Sequence, residues 1–198
     1  MVTGGSRGIG RAIVHRLAAD GATVVFNFAR STDQAAEVEQ AVRDAGGRAH
    51  GVRADLAAPD AVGQLMAAVG EHCDSLDILV NNAAMEFAPA PLADIGEEIY
   101  DAVMAVNARS VFLTMPHAAR TMADNGRIIN ISTLNATRSA PGSAAYVASK
   151  GRLSSSPRSR RSNSGSAASL STPSAPGQPT PSCYGTLARR NLWNRSPC

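Results

Sequence analysis

Tyr146 and Lys150 stand four residues apart in "YVASK", one helical turn from each other. A free tyrosine, with a pKa of about 10, exchanges protons poorly at neutral pH, whereas an ammonium one turn away favours its phenolate and makes the pair an acid/base candidate. A packed ring beside a solvated amine is the plainer account. Against it, Lys150 is the only lysine in a chain with 18 arginines, and a merely solvated cation here would more often be arginine. A second stretch, "TGGSRGIG" at residues 3–10, carries glycines spaced for a tight turn opening a helix. Gly4, Gly8 and Gly10 let the backbone approach a pyrophosphate, and the amides at the helix N-terminus face its charge. Glycine clusters also make ordinary turns, so this stretch needs company. The company arrives downstream and in order: "NNAA" at 81–84 after an apolar run, Asn107 inside a long helical segment, Ser132 and Thr133 at the end of another apolar run, then Tyr146 and Lys150.

Together these stretches resemble the short-chain dehydrogenase/reductase family over residues 1 to about 153, its 3-oxoacyl-[acyl-carrier-protein] reductase-like members included. The resemblance implies an α/β fold, a Rossmann-type doubly wound parallel sheet in three αβα layers, and hydride transfer between a nicotinamide dinucleotide and a small-molecule carbonyl or alcohol. It assigns Tyr146 as acid/base, Lys150 to tune it and hold the nicotinamide ribose, and Asn107 to a proton relay through water. The hydroxyl that orients the substrate oxygen falls on Thr133, with Ser132 as the alternative, because successive strand residues face opposite ways. Gly4, Ser6, Arg7, Gly8, Ile9, Gly10, Arg30, Asp55, Leu56, Asn82 and Ala83 are implied in cofactor binding, with Tyr146 and Lys150. Asp55 matches the position that contacts the adenine; a turn or capping aspartate accounts for it equally well. The strand that should end in an acidic residue for an unphosphorylated ribose ends instead in "NFARS". With Arg7 and Arg30 to meet a 2′-phosphate, NADP(H) is favoured over NAD(H). One departure is Ala84 where the family usually has glycine.

The positioning elements follow from periodicity. Residues 22–28, 48–54, 76–82 and 126–132 read as strands, several with nearly continuous Val, Ile and Leu, the pattern of a strand buried on both faces. Residues 8–19, 32–45, 59–73 and 97–122 have helical composition. In the last, Ile99, Val103, Val106, Ser110 and Leu113 recur at three and four. Strands alternating with helices predict a parallel sheet with right-handed crossovers. The first strand, at the sheet centre, is nearly absent, and the reading expects a start several residues upstream of Met1.

The rhythm stops after Lys150. Residues 1–150 carry 12 basic and 16 acidic side chains, a net of −4, whereas 151–198 carry seven basic and none acidic. Two domains of unlike kind are predicted: residues 1–153 as a reductase domain lacking the C-terminal part of the fold, and 154–198 as a low-complexity, disordered tail. Read one nucleotide out of frame, "TPSAPGQPTP" at 172–181 permits Asn-Thr-Val-Ser-Pro-Gly-Ala-Thr-Asp-Thr, and the preceding stretches likewise permit a family-like continuation without a gap. The expectation is a one-nucleotide lesion between the codons for Lys150 and Ser156, which cuts the helix bearing Tyr146 near its first turn.

Other classes are weaker. No run approaches a membrane span or the order of a signal peptide, so the cytoplasm is the expected location. Cys73, Cys183, Cys198 and four histidines lack ligand spacing, which argues against a metal. The arginine-rich tail attracts phosphate, but Tyr184 and Trp193 alone are few stacking rings for a nucleic-acid arm. The resemblance implies a homodimer or homotetramer for full-length relatives. The competing reading is an inactive fragment that at most binds the dinucleotide.

Overall fold

In the computed structural model the described residues are 1–86, 88–136 and 141–154. The expectations for the tail and its reading frame, and for further strands, lie outside these residues, save that position 154 is helical. The chain runs α1 (Gly8–Ala19), β1 (Thr23–Phe28), α2 (Thr32–Asp44), β2 (Arg48–Arg53), α3 (Ala61–His72), β3 (Leu76–Asn81), α4 (Glu97–Met104), a π-helical turn (Ala105–Arg109), α5 (Ser110–Thr121), β4 (Met122–Asn130) and α6 (Ala144–Ser154).

β1 pairs with β2, and β3 with β4, all in parallel. Val2 joins the pairs: it bridges to Phe26 on one side and Val80 on the other, donating its N–H to the Val25 carbonyl (2.9 Å), while Thr3 donates to the Val80 carbonyl (2.9 Å). The order is therefore β2, β1, the Val2 segment, β3, β4, so residues 1–3 occupy the sheet centre. Side-chain alternation builds two apolar layers from this one sheet. Val24, Phe26 and Phe28 meet Val14 and Ala18 of α1 and Val38 and Val42 of α2. Val25 and Leu79 meet Leu65 and Val69 of α3 and Ala118 of α5 on the other face. Full burial of Phe26 or Leu65 contributes about 1.5–3 kcal/mol each. The three-layer α/β expectation is met.

The predicted single helix over 97–122 is broken. A π turn inserts one extra residue at 105–109, and the buried line passes through Val103, Asn107, Ser110, Val111, Thr114 and Ala118 in place of the expected Val106 and Leu113. The extra residue rotates everything after it by about 100° on the helix wheel. Pro116, inside α5, lacks the N–H that would bond one turn back. β4 ends at Asn130, so Ser132 and Thr133 lie on the loop beyond it, contrary to expectation. α6 extends eleven residues, about three turns, where a cut near the first turn was expected.

Placing residue 1 in the sheet centre buries its amine. The Met1 ammonium donates to the Ile78 carbonyl (2.7 Å), and desolvation lowers its pKa from 8.0 to about 6, against the opposing pull of Cys73 and Asp77. In the unfolded chain the amine holds its proton up to pH 8.0; in the folded chain it gives it up about two pH units sooner. In a chain that begins at Met1, stability is thus full above pH 8 and falls by about 3 kcal/mol as pH drops from 8 to about 6. Thermal melts of a chain beginning at Met1 are expected to show a clearly lower midpoint at pH 5.5 than at pH 8.5, and Nα-acetylation to flatten that difference. A midpoint that is equal at both pH values before acetylation contradicts the buried amine.

Candidate active site

The carboxyl ends of β1, β2, β3 and β4, with the turns that follow them, gather on one side of the sheet. There the buried polar residues concentrate: Thr3, Ser6, Asn27, Asn81, Asn107, Ser149 and Lys150 among them. Buried polar side chains need partners, and these find them in neighbouring side chains and in nearby backbone, so hydrogen bonds determine the geometry.

The glycine-rich turn is tied to the "NNAA" loop. Thr3 Oγ1 accepts the N–H groups of Asn82 and Ala83, both at 2.9 Å, and Asn82 Nδ2 donates to the carbonyls of Thr3 (2.9 Å) and Gly4 (3.1 Å). Asn82 therefore braces the turn with its side chain. Gly10 passes so close that a Cβ there would lie 2.0 Å from the Gly4 carbonyl oxygen. Helix α1 opens at Gly8 with no side-chain cap and no acidic residue in its first turn, so its amides present a positive end. Arg7, Gly8 and Ile9 are exposed at that end, Gly10 and Ser6 are buried, and Arg30 is exposed just past β1. This cradle fits a dinucleotide phosphate. Asp55 follows β2 in a turn, its Oδ1 accepting the Ala57 N–H (3.0 Å), while Leu56 turns its side chain into the α3 face of the core. Any contact of Leu56 with a ligand would be through its main chain.

α6 carries Tyr146, half-buried, and Lys150, 2% exposed. Tyr146 is hydrogen-bonded to the side chain of Thr133, whereas Ser132 is exposed. Burial first, and then the Glu86 carboxylate, push the phenol up, and the Thr133 bond pulls it down. This reverses the expected sense, in which Lys150 lowers it. The reason is geometric: Lys150 Nζ donates to the Ile131 carbonyl (3.0 Å), and burial lowers the ammonium's own pKa, partly restored by Glu86. Among the described residues that carbonyl is the one acceptor of an ammonium with three donors.

Asn107 is fully buried in the π turn. Its Oδ1 accepts the Met85 N–H (2.7 Å), and its Nδ2 donates to the Met85 carbonyl (3.1 Å) and to Ser149 Oγ (3.1 Å). Ser149 Oγ in turn donates to the Tyr146 carbonyl (2.7 Å). Both N–H donors of the amide are engaged within the protein. The side chain couples the loop after β3 to the helix that holds Tyr146.

Sequence reasoning passes over Asn27, Glu86 and Ser149. Asn27 has a signal, an amide within the apolar strand "TVVFNF", and Ser149 has one in its place between Tyr146 and Lys150 in "YVASK"; Glu86 has none, since only tertiary folding brings its charge to the phenol. Removal of the Glu86 charge is expected to ease ionisation of Tyr146. In a Glu86→Gln variant, the ultraviolet titration of the Tyr146 phenol is expected to move to lower pH than in the wild type, and high salt narrows the gap. A profile that stays in place or moves to higher pH contradicts this placement of Glu86.

A family model described as short chain dehydrogenase matches residues 1–163. An uncharacterized oxidoreductase of Methylorubrum extorquens is 40% identical over 154 residues, covering 77% of this chain and 61% of its own length. A short-chain dehydrogenase/reductase of Serratia marcescens is 45% identical with a TM-score of 0.73, over 77% of this chain and 62% of that one. The landomycin C-6 ketoreductase LanV, solved with bound NADP and rabelomycin, is 40% identical with a TM-score of 0.73, over 78% of this chain and 65% of its own. The chain thus spans about three fifths of the length of these relatives. On the matched domain, its parallel sheet and this degree of identity, the chain belongs to the short-chain dehydrogenase/reductase family of oxidoreductases.

Proposed function

We propose that this protein interconverts a neutral ketone and a secondary alcohol with NADP(H) as hydride carrier. The observation that carries the reading is the pairing of the Tyr146 hydroxyl, on a helix whose next turn buries Lys150, with Thr133 of the loop after β4, on the side of the sheet where the glycine-rich turn opens α1. When bound, the nicotinamide supplies or accepts the hydride. Tyr146 gives its phenolic proton to the substrate oxygen in reduction and takes it back in oxidation. Thr133 holds that oxygen against the phenol, and Lys150 directs its remaining N–H donors to the ribose hydroxyls. Asn107, through Met85 and Ser149, keeps the loop after β3 in register with α6. The amides opening α1 hold the pyrophosphate, Asp55 meets the adenine side, and Arg7 and Arg30 meet the 2′-phosphate. The bound NADP of LanV supports the choice of cofactor, and its description as a ketoreductase supports the ketone.

The test is NADPH consumption by the purified chain over a panel of neutral linear and cyclic ketones, with NADH in parallel. Ketone-dependent oxidation, faster with NADPH, is the expected result; an Arg7→Ala/Arg30→Ala variant should lose about tenfold or more of that preference. A second reading is a protein that binds the dinucleotide without turnover, favoured by the three-fifths span of the relatives. Thermal stabilisation by NADPH without ketone-dependent oxidation would select it. Resequencing the codons between Lys150 and Ser156 tests the one-nucleotide lesion: an intact family-like continuation marks a sequencing error and a reproducible lesion a mutated gene, whereas a tail preserved in frame among close relatives refutes both.

A further inference from the structure

Asn27 is the one buried polar side chain in β1, whose other buried members, Val24, Val25, Phe26 and Phe28, are apolar. It is 3% exposed, and an amide buried there without partners would destabilise the sheet. Its partners are all at the carboxyl ends of the strands. Oδ1 accepts the Gly4 N–H (3.0 Å), Nδ2 donates to the Ala54 carbonyl (2.8 Å), and its own carbonyl accepts the Gly5 N–H (3.0 Å). Gly4 and Gly5 begin the glycine-rich turn, and Ala54 immediately precedes the Asp55 turn.

We propose that Asn27 is a positioning residue for the dinucleotide, one side chain that sets the spacing between the glycine-rich turn and the loop after β2. The inference rests on the nucleotide reading above. An apolar residue of equal size would fill the same space; what it could not do is hold the two loops at a fixed separation. The Gly4 N–H, engaged from inside the sheet, is not a ligand donor. Its part is to orient the turn whose later amides open α1. Asp55 hangs from the other end of the same bracket, so both halves of the adenosine-pyrophosphate site share one support.

The experiment measures NADPH and 2′,5′-ADP affinity, with ligand-free melts, for the full chain and the near-isosteric variants Asn27→Leu and Asn27→Asp. The leucine substitution removes both side-chain bonds; the aspartate substitution keeps the acceptor for Gly4 and loses the donor to Ala54. A positioning role predicts that both ligands bind each folded variant about tenfold more weakly, with Asn27→Asp partly recovered by salt. A merely structural role lowers the melting temperature and leaves the affinity of the folded molecules unchanged, so dissociation constants within about twofold of wild type overturn the proposal. Should neither variant fold, hydrogen exchange on the wild type decides: the Gly4 amide should be protected like the strand core, and rapid exchange overturns the bracket. A folded wild type that binds neither ligand overturns the nucleotide reading and this proposal together; a wild type that binds while the variants bind equally well overturns this proposal alone.

Discussion

Tyr146→Phe is expected to lower kcat for ketone reduction by about 10²–10⁴-fold while leaving NADPH affinity within about twofold. The substitution removes one oxygen from a half-buried ring and leaves its packing in place. The Thr133 hydroxyl loses its partner on α6, but it also accepts the Asn135 N–H (3.2 Å) within its own loop, so the loop keeps a local anchor. What disappears is the phenolic O–H, the proton donor of the proposed reaction. Thr133→Ala is expected to cost less, since the phenol remains, and Thr133→Ser to retain most activity because the hydroxyl is kept. Stopped-flow or steady-state NADPH oxidation, paired with fluorescence titration of the cofactor, separates loss of chemistry from loss of binding. If the Tyr146→Phe variant turns over within about tenfold of wild type, Tyr146 is not the acid.

Gly10→Ala should weaken dinucleotide binding by at least about a hundredfold, or prevent folding altogether. A Cβ at this position lies 2.0 Å from the Gly4 oxygen and 2.6 Å from Asn82 Nδ2, and the first of these is backbone. That oxygen is itself held by Asn82, so relief requires α1 to move away from the turn it caps. Gly8→Ala supplies the contrast: its φ of 54° strains an L-residue, yet a Cβ would meet nothing within 4 Å. The Gly8→Ala variant should therefore lose only about 1–2 kcal/mol of stability and retain measurable NADPH binding. Circular-dichroism melts with and without NADPH distinguish the two. Equal binding by the Gly10→Ala and Gly8→Ala variants would contradict the close approach.

Much of the framework is legible residue by residue. Helix α1 begins and ends where composition places it, and four strands fall within a few residues of their predicted spans, β1 and β3 because apolar runs bounded by Gly and polar turns leave little choice of period. Spacing to the tyrosine favours Thr133 over Ser132, and Thr133 is the hydroxyl that meets Tyr146. The nearly absent first strand is present as Val2 alone, completely buried between two partners.

Other features depend on contacts between residues far apart in the chain. A helical period cannot announce the π turn, because that turn exists through Asn107 reaching Met85 on one loop and Ser149 on another helix. The direction of the Tyr146 shift escapes sequence for the same reason: neighbours four apart suggest Lys150, whereas burial and the sequence-distant Glu86 act on the phenol. Sequence alone determined most of the elements, the glycine turn and the placing of Tyr146 and Lys150 one turn apart on a helix, since local pattern suffices for these. Tertiary structure alone decided which amides and carboxylates face that pair and which are spent holding it, because hydrogen bonds and desolvation belong to the packed arrangement and not to any one segment.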